Sequence, residues 1–261
     1  MRRATSESSV RVESDARGVT RITIARPERK NAFDAELVAD LTAALGRIDL
    51  GARAVLLQSE GDAFCAGADI DWMRSMAEYS LEENITDSRA LATMYRALYE
   101  LPMPLVARVQ GAAIGGGAGL VAVADIAIAS TEAIFAFSET RLGIVPAVVS
   151  PYVVRKIGPA HATALFVTGL RFDALRALEI GLVEAVEEPP QLDMRVEGVL
   201  AAILAAGPRA VNAAKRLVRE VEARPIGDVV DLTVERIAAI RVSEEGQEGM
   251  RAFLEKRDPR W

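Results

Sequence analysis

Cysteine and histidine occur once each in this 261-residue chain, as Cys65 and His161, and their scarcity removes whole classes of chemistry. A single cysteine cannot close an intrachain disulfide or build a cysteine-ligated metal cluster. A single histidine cannot supply a His-rich metal site. His161 also stands in the polar start of a helical stretch, Pro159 to Val167, where an ordinary helix-surface histidine is expected. Proton transfer is therefore left to carboxylates, and no metal is expected. A basic surplus is missing as well: the net charge is −6, which argues against a nucleic-acid-binding surface. No uncharged apolar run reaches the roughly 18 residues that would span a bilayer. Arg2 and Arg3 are followed by no apolar segment of the signal-peptide kind, and residues 1–9 read as a flexible polar tail. The expectation is a soluble, cytoplasmic protein with no membrane partner. Apolar residues are abundant at 51%, ample for a large buried interior.

Short β-branched runs alternate with helical patterns. Thr20–Ala25, Ala54–Gln58, Leu105–Val109 and Ile126–Ala129 read as strands, mostly too apolar to expose a face. Between the first two, Phe33, Leu37, Leu41 and Leu45 recur at helical spacing, with Asp34 near the start. Ser80-Leu81-Glu82-Glu83 is a capping box opening a helix that runs to Glu100, before Pro102 and Pro104 break the pattern. This is α/β patterning, in stacked β-β-α turns or a parallel sheet. From Leu192 onward only helical patterns follow: 192–206, 208–223, 226–242 and 243–256. Their apolar faces need a partner.

Two glycine-bearing loops follow apolar runs. Gly115-Gly116-Gly117 comes after Leu105–Val109, and Phe64-Cys65-Ala66-Gly67-Ala68-Asp69 after the run Arg53–Leu57. Glycine permits close approach of backbone to a ligand, and a helix start leaves N–H groups free. Together the loops can aim two N–H groups at one oxygen, an oxyanion hole for an activated carbonyl. The plainer reading is that both are turns permitting tight helix-on-strand packing. A rival is a dinucleotide fingerprint, since Gly117-Ala118-Gly119-Leu120-Val121-Ala122 fits G-x-G-x-x-A and Glu139 lies 20 residues past Gly119. The first fingerprint glycine should follow its strand directly, yet seven residues separate Val109 from Gly117, which speaks against it. Glu139 follows the apolar Ile134–Phe137, where a carboxylate can enter a pocket or simply begin a solvated helix.

The wording of four segments goes further: Arg26-Pro27-Glu28-Arg29-Lys30-Asn31-Ala32, Phe64 to Ile70, Gln110 to Gly117, and Glu139 to Pro146. In order and spacing the chain resembles the crotonase, or enoyl-CoA hydratase/isomerase, superfamily from about Val10 to its end. The resemblance implies a crotonase-like spiral of β-β-α turns over 10–207, with 208–261 as a helical region forming a homotrimer or dimer of trimers. It implies that the N–H groups of Ala68 and Gly116 hold a thioester oxygen and that Glu139 handles protons at the acyl chain. Coenzyme A enters as part of an acyl-CoA substrate, with no separate cofactor. By the same resemblance Arg26, Lys30, Ala66, Asp69, Ile70, Phe253 and Lys256 bind CoA, with Arg29 sharing the phosphate role, and Gly119, Ala147 and Val148 line the acyl pocket.

One departure matters. Hydratases of this kind place a second glutamate where this chain has Gly119. That leaves three readings open: a hydratase working with one carboxylate, a double-bond isomerase, and a non-catalytic acyl-CoA-binding protein. FCAGADIDWM at 64–73 and the segment 139–155 are similar to a bacterial subgroup of methylglutaconyl-CoA or isohexenylglutaconyl-CoA hydratases. Their branched substrates carry an extra carboxylate that Arg141 or Arg155 would bind, so hydration of a branched enoyl-CoA is the leading expectation.

Overall fold

Ten strands divide between two sheets in the computed structural model, which describes residues 9–261. The larger sheet joins β1 (Val10–Ser14), β2 (Val19–Ile24), β3 (Ala54–Ser59), β5 (Leu105–Val109), β7 (Ile126–Ser130) and β10 (Ala185–Glu187), in that spatial order. Only the β1–β2 pair is antiparallel. The smaller sheet has the order β4 (Ala63–Cys65), β6 (Ala112–Ile114), β8 (Ile134–Ala136) and β9 (Phe172–Asp173). Each of β3, β5 and β7 passes within a few residues to its partner β4, β6 or β8, so consecutive β-β units stack as a spiral.

The long strands read as continuous apolar runs because both faces of the larger sheet are covered. Side chains alternate across a strand. Val55 and Leu57 of β3 accordingly join the main core, with Phe33, Leu37 and Leu41, while Ala54 and Leu56 join a second cluster with Leu192, Val196 and Leu200. The latter three belong to α7 (Pro189–Ala205), which lies on the outer face. On the inner side are α1 (Ala35–Leu45), α2 (Ile70–Ala77), α3 (Leu81–Glu100), α4 (Gly116–Val123), α5 (Ser150–Thr168) and α6 (Ala174–Glu179). Asp34 caps α1 by accepting from the Leu37 N–H. The Ser80–Glu83 capping box forms in both directions. α5 is broken at Gly158 (φ 75°, ψ 161°), so the helical stretch containing His161 does begin at Pro159.

The C-terminal helices are α8 (Pro208–Val221), α9 (Val230–Val242) and α10 (Glu244–Glu255), with a 3-10 turn at Ile226–Asp228 that splits the expected 226–242 helix. Lys215 of α8 pins this region to the body. Its ammonium reaches the Asp125 carboxylate at 2.5 Å and the Met103 carbonyl at 2.7 Å, and burial holds it below the usual lysine range. α10 packs on α8 and α9. Residues 1–8 of the expected tail lie outside the described residues. Ser9, placed in that tail by the sequence, is instead tied down: its carbonyl accepts from the Ala25 N–H at 2.9 Å, and its hydroxyl donates to Asp40. No single helix among the described residues is long and apolar enough to cross a membrane.

Candidate active site

The two glycine-bearing loops leave adjacent parallel strands, β4 and β6. After β4 the chain runs beside Phe33 as a one-residue parallel bridge: the Phe33 N–H donates to Gly67 O and the Asp69 N–H donates to Phe33 O, both at 2.7 Å. In that pattern the groups of residues 67 and 69 face Phe33, so the N–H of Ala68 between them points the other way. It meets no acceptor among the described residues. After β6, Gly115 takes φ +52° and its N–H donates to Ala136 O at 2.7 Å; α4 then begins at Gly116. The first N–H in α4 to find a carbonyl is that of Gly119, donating to Gly115 O, so the Gly116 N–H is also unpaired. Ala68 and Gly116 are both half-buried, within reach of a ligand. Contacts join the loops: a side chain on Gly67 would meet Ile114 O at 3.1 Å, and the Phe33 ring lies 3.0 Å from where a Cβ of Gly116 would be.

Glu139 opens a 3-10 turn, Glu139–Leu142, at the end of β8. Its carboxylate rests on Gly115, where a Cβ would stand 3.1 Å from Oε1. Oε2 is buried with no hydrogen-bond partner. Burial pushes this carboxyl above the ordinary glutamate range. A buried carboxylate oxygen without a partner is costly to fold, and one beside free backbone donors marks a candidate site of chemistry. Gly119 is placed differently from the sequence expectation of an acyl-pocket lining. A Cβ there would lie 2.3 Å from Val149 Cγ1 and 3.0 Å from the Tyr95 hydroxyl, so the position faces packed side chains. Gly117 serves packing too, its Cβ position being 2.2 Å from Cys65 O. Both glycines lie inside α4, whereas a dinucleotide fingerprint would carry them in the turn before it. Packing thus accounts for Gly117 and Gly119, while the N–H groups of Ala68 and Gly116 are left without an acceptor among the described residues.

Residues 14–261 match the family model for enoyl-CoA hydratase/isomerase. The chain belongs to that family. It is 32% identical to the enoyl-CoA hydratase EchA19 of Mycobacterium tuberculosis, over 98% of both chains. It is 27% identical to the trans-2-decenoyl-[acyl-carrier-protein] isomerase of Streptococcus mutans, over 94% of both. The crystal structure of an enoyl-CoA hydratase from Shewanella pealeana superposes with a TM-score of 0.92 at 38% identity, covering 97% of this chain and 96% of that one. The chain is thus an enzyme of the hydratase/isomerase family with the family's fold.

The residues expected at CoA are distributed unevenly in this hydratase/isomerase homologue. Lys30, exposed and in the left-handed region (φ 52°), accepts the Ala66 N–H on its carbonyl at 3.0 Å, so Lys30 and Ala66 stand together beside Ala68. Asp69 caps α2, accepting from the N–H groups of Asp71 and Trp72, and pairs with Arg29 at 3.3 Å; Ile70 beside it is 63% exposed. Arg26 departs from expectation. It is buried and forks onto the Asp34 carboxylate, one contact at 2.6 Å, so its charge is spent inside the protein and Lys30 and Arg29 remain as the accessible cations of that loop. Phe253 (83% exposed) and Lys256 lie on and after α10, and neither side chain bonds to the Ala68 or Gly116 loops. Ala147 is exposed and Val148 half-buried, on the stretch that follows Glu139. Cys65 is buried, its thiol pushed up to about 12, and inert.

Sequence reasoning missed Asn31, Tyr95 and Val149. Asn31 is wholly buried, accepts from the Arg26 N–H and donates to the carbonyls of Glu60 and Ala63, which knots the Lys30 loop onto β4. Its signal was visible: an asparagine in a charged turn tolerates the left-handed conformation it adopts (φ 55°).

Proposed function

We propose that this enzyme adds water across the double bond of an α,β-unsaturated acyl-CoA, by way of a thioester enolate. The observation that carries the reading is the meeting of two unpaired backbone N–H groups, of Ala68 and Gly116, with a half-buried glutamate, Glu139, whose Oε2 is buried without a hydrogen-bond partner. Glu139 takes a proton from water while the hydroxyl oxygen bonds to the β-carbon. The π electrons pass through the α-carbon to the thioester oxygen, which the two N–H groups hold. The protonated carboxyl then returns its proton to the α-carbon. A carboxyl raised by burial suits this, being a better base than an ordinary glutamate and still able to give the proton back.

A branched acyl chain with a distal carboxylate fits best at Arg141. It stands two residues from Glu139, is exposed and makes no ion pair among the described residues, whereas Arg155 is paired with Glu222 at 2.5 Å. Self-association belongs to the same reading, supported by exposed Ile226, Val230, Val234, Ile237, Phe253 and Leu254 on the α9–α10 region.

Isomerisation is the second reading, and the packing at Gly119 favours it. With Val149 and Tyr95 filling that space, one carboxylate must do all proton transfer, and moving a proton from C2 to C4 of a 3-enoyl thioester needs only one. Incubating the purified enzyme with straight and branched 2-enoyl- and 3-enoyl-CoA esters decides the matter. A mass gain of one water supports the hydratase; conjugation of the double bond without water uptake on any substrate overturns it in favour of the isomerase.

A further inference from the structure

Tyr95, in the middle of α3, has no exposed surface and appears in none of the roles assigned so far. Its ring packs between Phe33 and Tyr152, with centroids 6.3 and 5.9 Å away. Its hydroxyl leaves that apolar setting to donate to Gly116 O at 2.5 Å. Burial raises the phenol far above the usual tyrosine range, so it remains a protonated donor at any working pH.

The N–H of Gly116 belongs to the peptide between Gly115 and Gly116. On one side of that peptide the Gly115 N–H is fixed to Ala136 O. On the other the Gly116 carbonyl, at the start of the α4 ladder, also accepts the Tyr95 hydroxyl. Three successive glycines have more backbone freedom than any other tripeptide, so the direction of an N–H among them is set by what holds its neighbours. Hydrogen bonds weaken steeply as the donor angle falls toward about 120°. A donor free to swing would lose most of its value to a developing oxyanion.

We propose that Tyr95 is a positioning residue: its hydroxyl clamps the Gly116 carbonyl so that the Gly116 N–H points at the substrate's thioester oxygen. The proposal rests on the reading of Ala68 and Gly116 as the oxygen-binding pair. Tyr95 acts through Gly116 and touches no reacting atom.

The test uses Tyr95→Phe, which keeps the ring and removes only the hydroxyl, with a chromophoric aryl-propenoyl-CoA as probe. Polarisation of its thioester carbonyl moves the absorbance to the red and lowers the carbonyl stretching frequency, which a ring acting only in packing would not control. The expected result is a bound probe with much of its red shift lost, kcat reduced by about 10- to 100-fold and KM within a few-fold of wild type. Tyr152→Phe, whose hydroxyl has no hydrogen-bond partner among the described residues, leaves both readouts unchanged. If Tyr95→Phe does not fold, 3-fluorotyrosine at position 95 keeps ring and hydroxyl and strengthens the donor; a larger red shift than wild type is then expected. A wild-type red shift in Tyr95→Phe, or an unchanged one with the fluorinated residue, overturns the proposal. Absence of any shift in the wild-type enzyme fails the oxygen-binding pair itself, which keeps the two failures apart.

Discussion

Gly119→Ala separates the two environments that this position can have, packed core or open acyl pocket. The added Cβ would stand 2.3 Å from Val149 Cγ1 and 3.0 Å from the Tyr95 hydroxyl. Carbon atoms settle about 3.5–4.0 Å apart, so Val149 must retreat by more than about 1 Å. It has little room, being 3% exposed at the N-cap of α5. Overpacking of this kind costs about 1–3 kcal/mol. Val149→Ala alone removes two buried methyl groups, about 1.5 kcal/mol at roughly 0.8 each. In the double variant the new methyl on 119 fills the space that Val149 vacates, so the two losses should not add: a favourable coupling of about 1–2 kcal/mol is expected. Urea unfolding of the four proteins, with unchanged slope as the control, measures it. Because alanine gains about 1 kcal/mol over glycine inside a helix, which offsets part of the overpacking, the refuting result is losses that simply add across the four proteins; that would return position 119 to the acyl pocket. The same geometry says that a glutamate at 119 has nowhere to go unless Val149 is shortened with it.

Glu139→Gln should lower kcat by several powers of ten with CoA-ester affinity nearly unchanged, as stopped assays and calorimetric titration would show. The acid limb of wild-type kcat/KM should lie above the ordinary glutamate range. Because the folded-state pKa is raised, the native state binds the extra proton, so stability should fall as pH rises from the usual carboxylate range through the raised value; thermal melts of Glu139→Gln should lack that loss. Lys215→Met should cost about 3 kcal/mol, at the low end for breaking a buried pair, because Arg219 remains near Asp125 at 3.4 Å; chemical unfolding reads it. Val234→Glu with Phe253→Glu should reduce self-association in sedimentation velocity, if the exposed face of α9 and α10 is where copies meet.

What was legible in the sequence follows from length and from wording. β5 was read with its observed limits, and β2, β3 and β7 within a residue at each end, because they are buried on both faces and so stand out as apolar runs. β4, β6 and β9 have only two or three residues and carry no period of their own, so the second sheet was invisible except through the family resemblance. Ala68, Gly116 and Glu139 were named from motif wording, and the geometry then supplied what wording cannot: which N–H groups stay unpaired. Arg26 was misjudged because its partner Asp34, eight residues on, was read only as a helix start. Tyr95 and Val149 were missed for a related reason. A tyrosine in a helix and a valine in a loop have no signal until α3, α4 and α5 are packed together around Gly119.

The two N–H groups proposed to hold the substrate oxygen are measured out by the smaller sheet. Cys65 of β4 is registered with Ala113 of β6, and Ala68 and Gly116 each lie three residues beyond that pair. Neighbouring strands run about 4.8 Å apart. An oxygen about 2.9 Å from each of two nitrogens separated by that spacing subtends about 110° at itself, close to the angle between lone pairs on a tetrahedral oxygen. On the proposed reading the sheet is a ruler whose graduation suits an enolate oxygen, so the acyl pocket around it can change with the substrate while the gauge of the proposed pair stays constant. Lengthening either loop by one residue would slip one mark on that ruler by about 3.3 Å and leave the oxygen with a single donor.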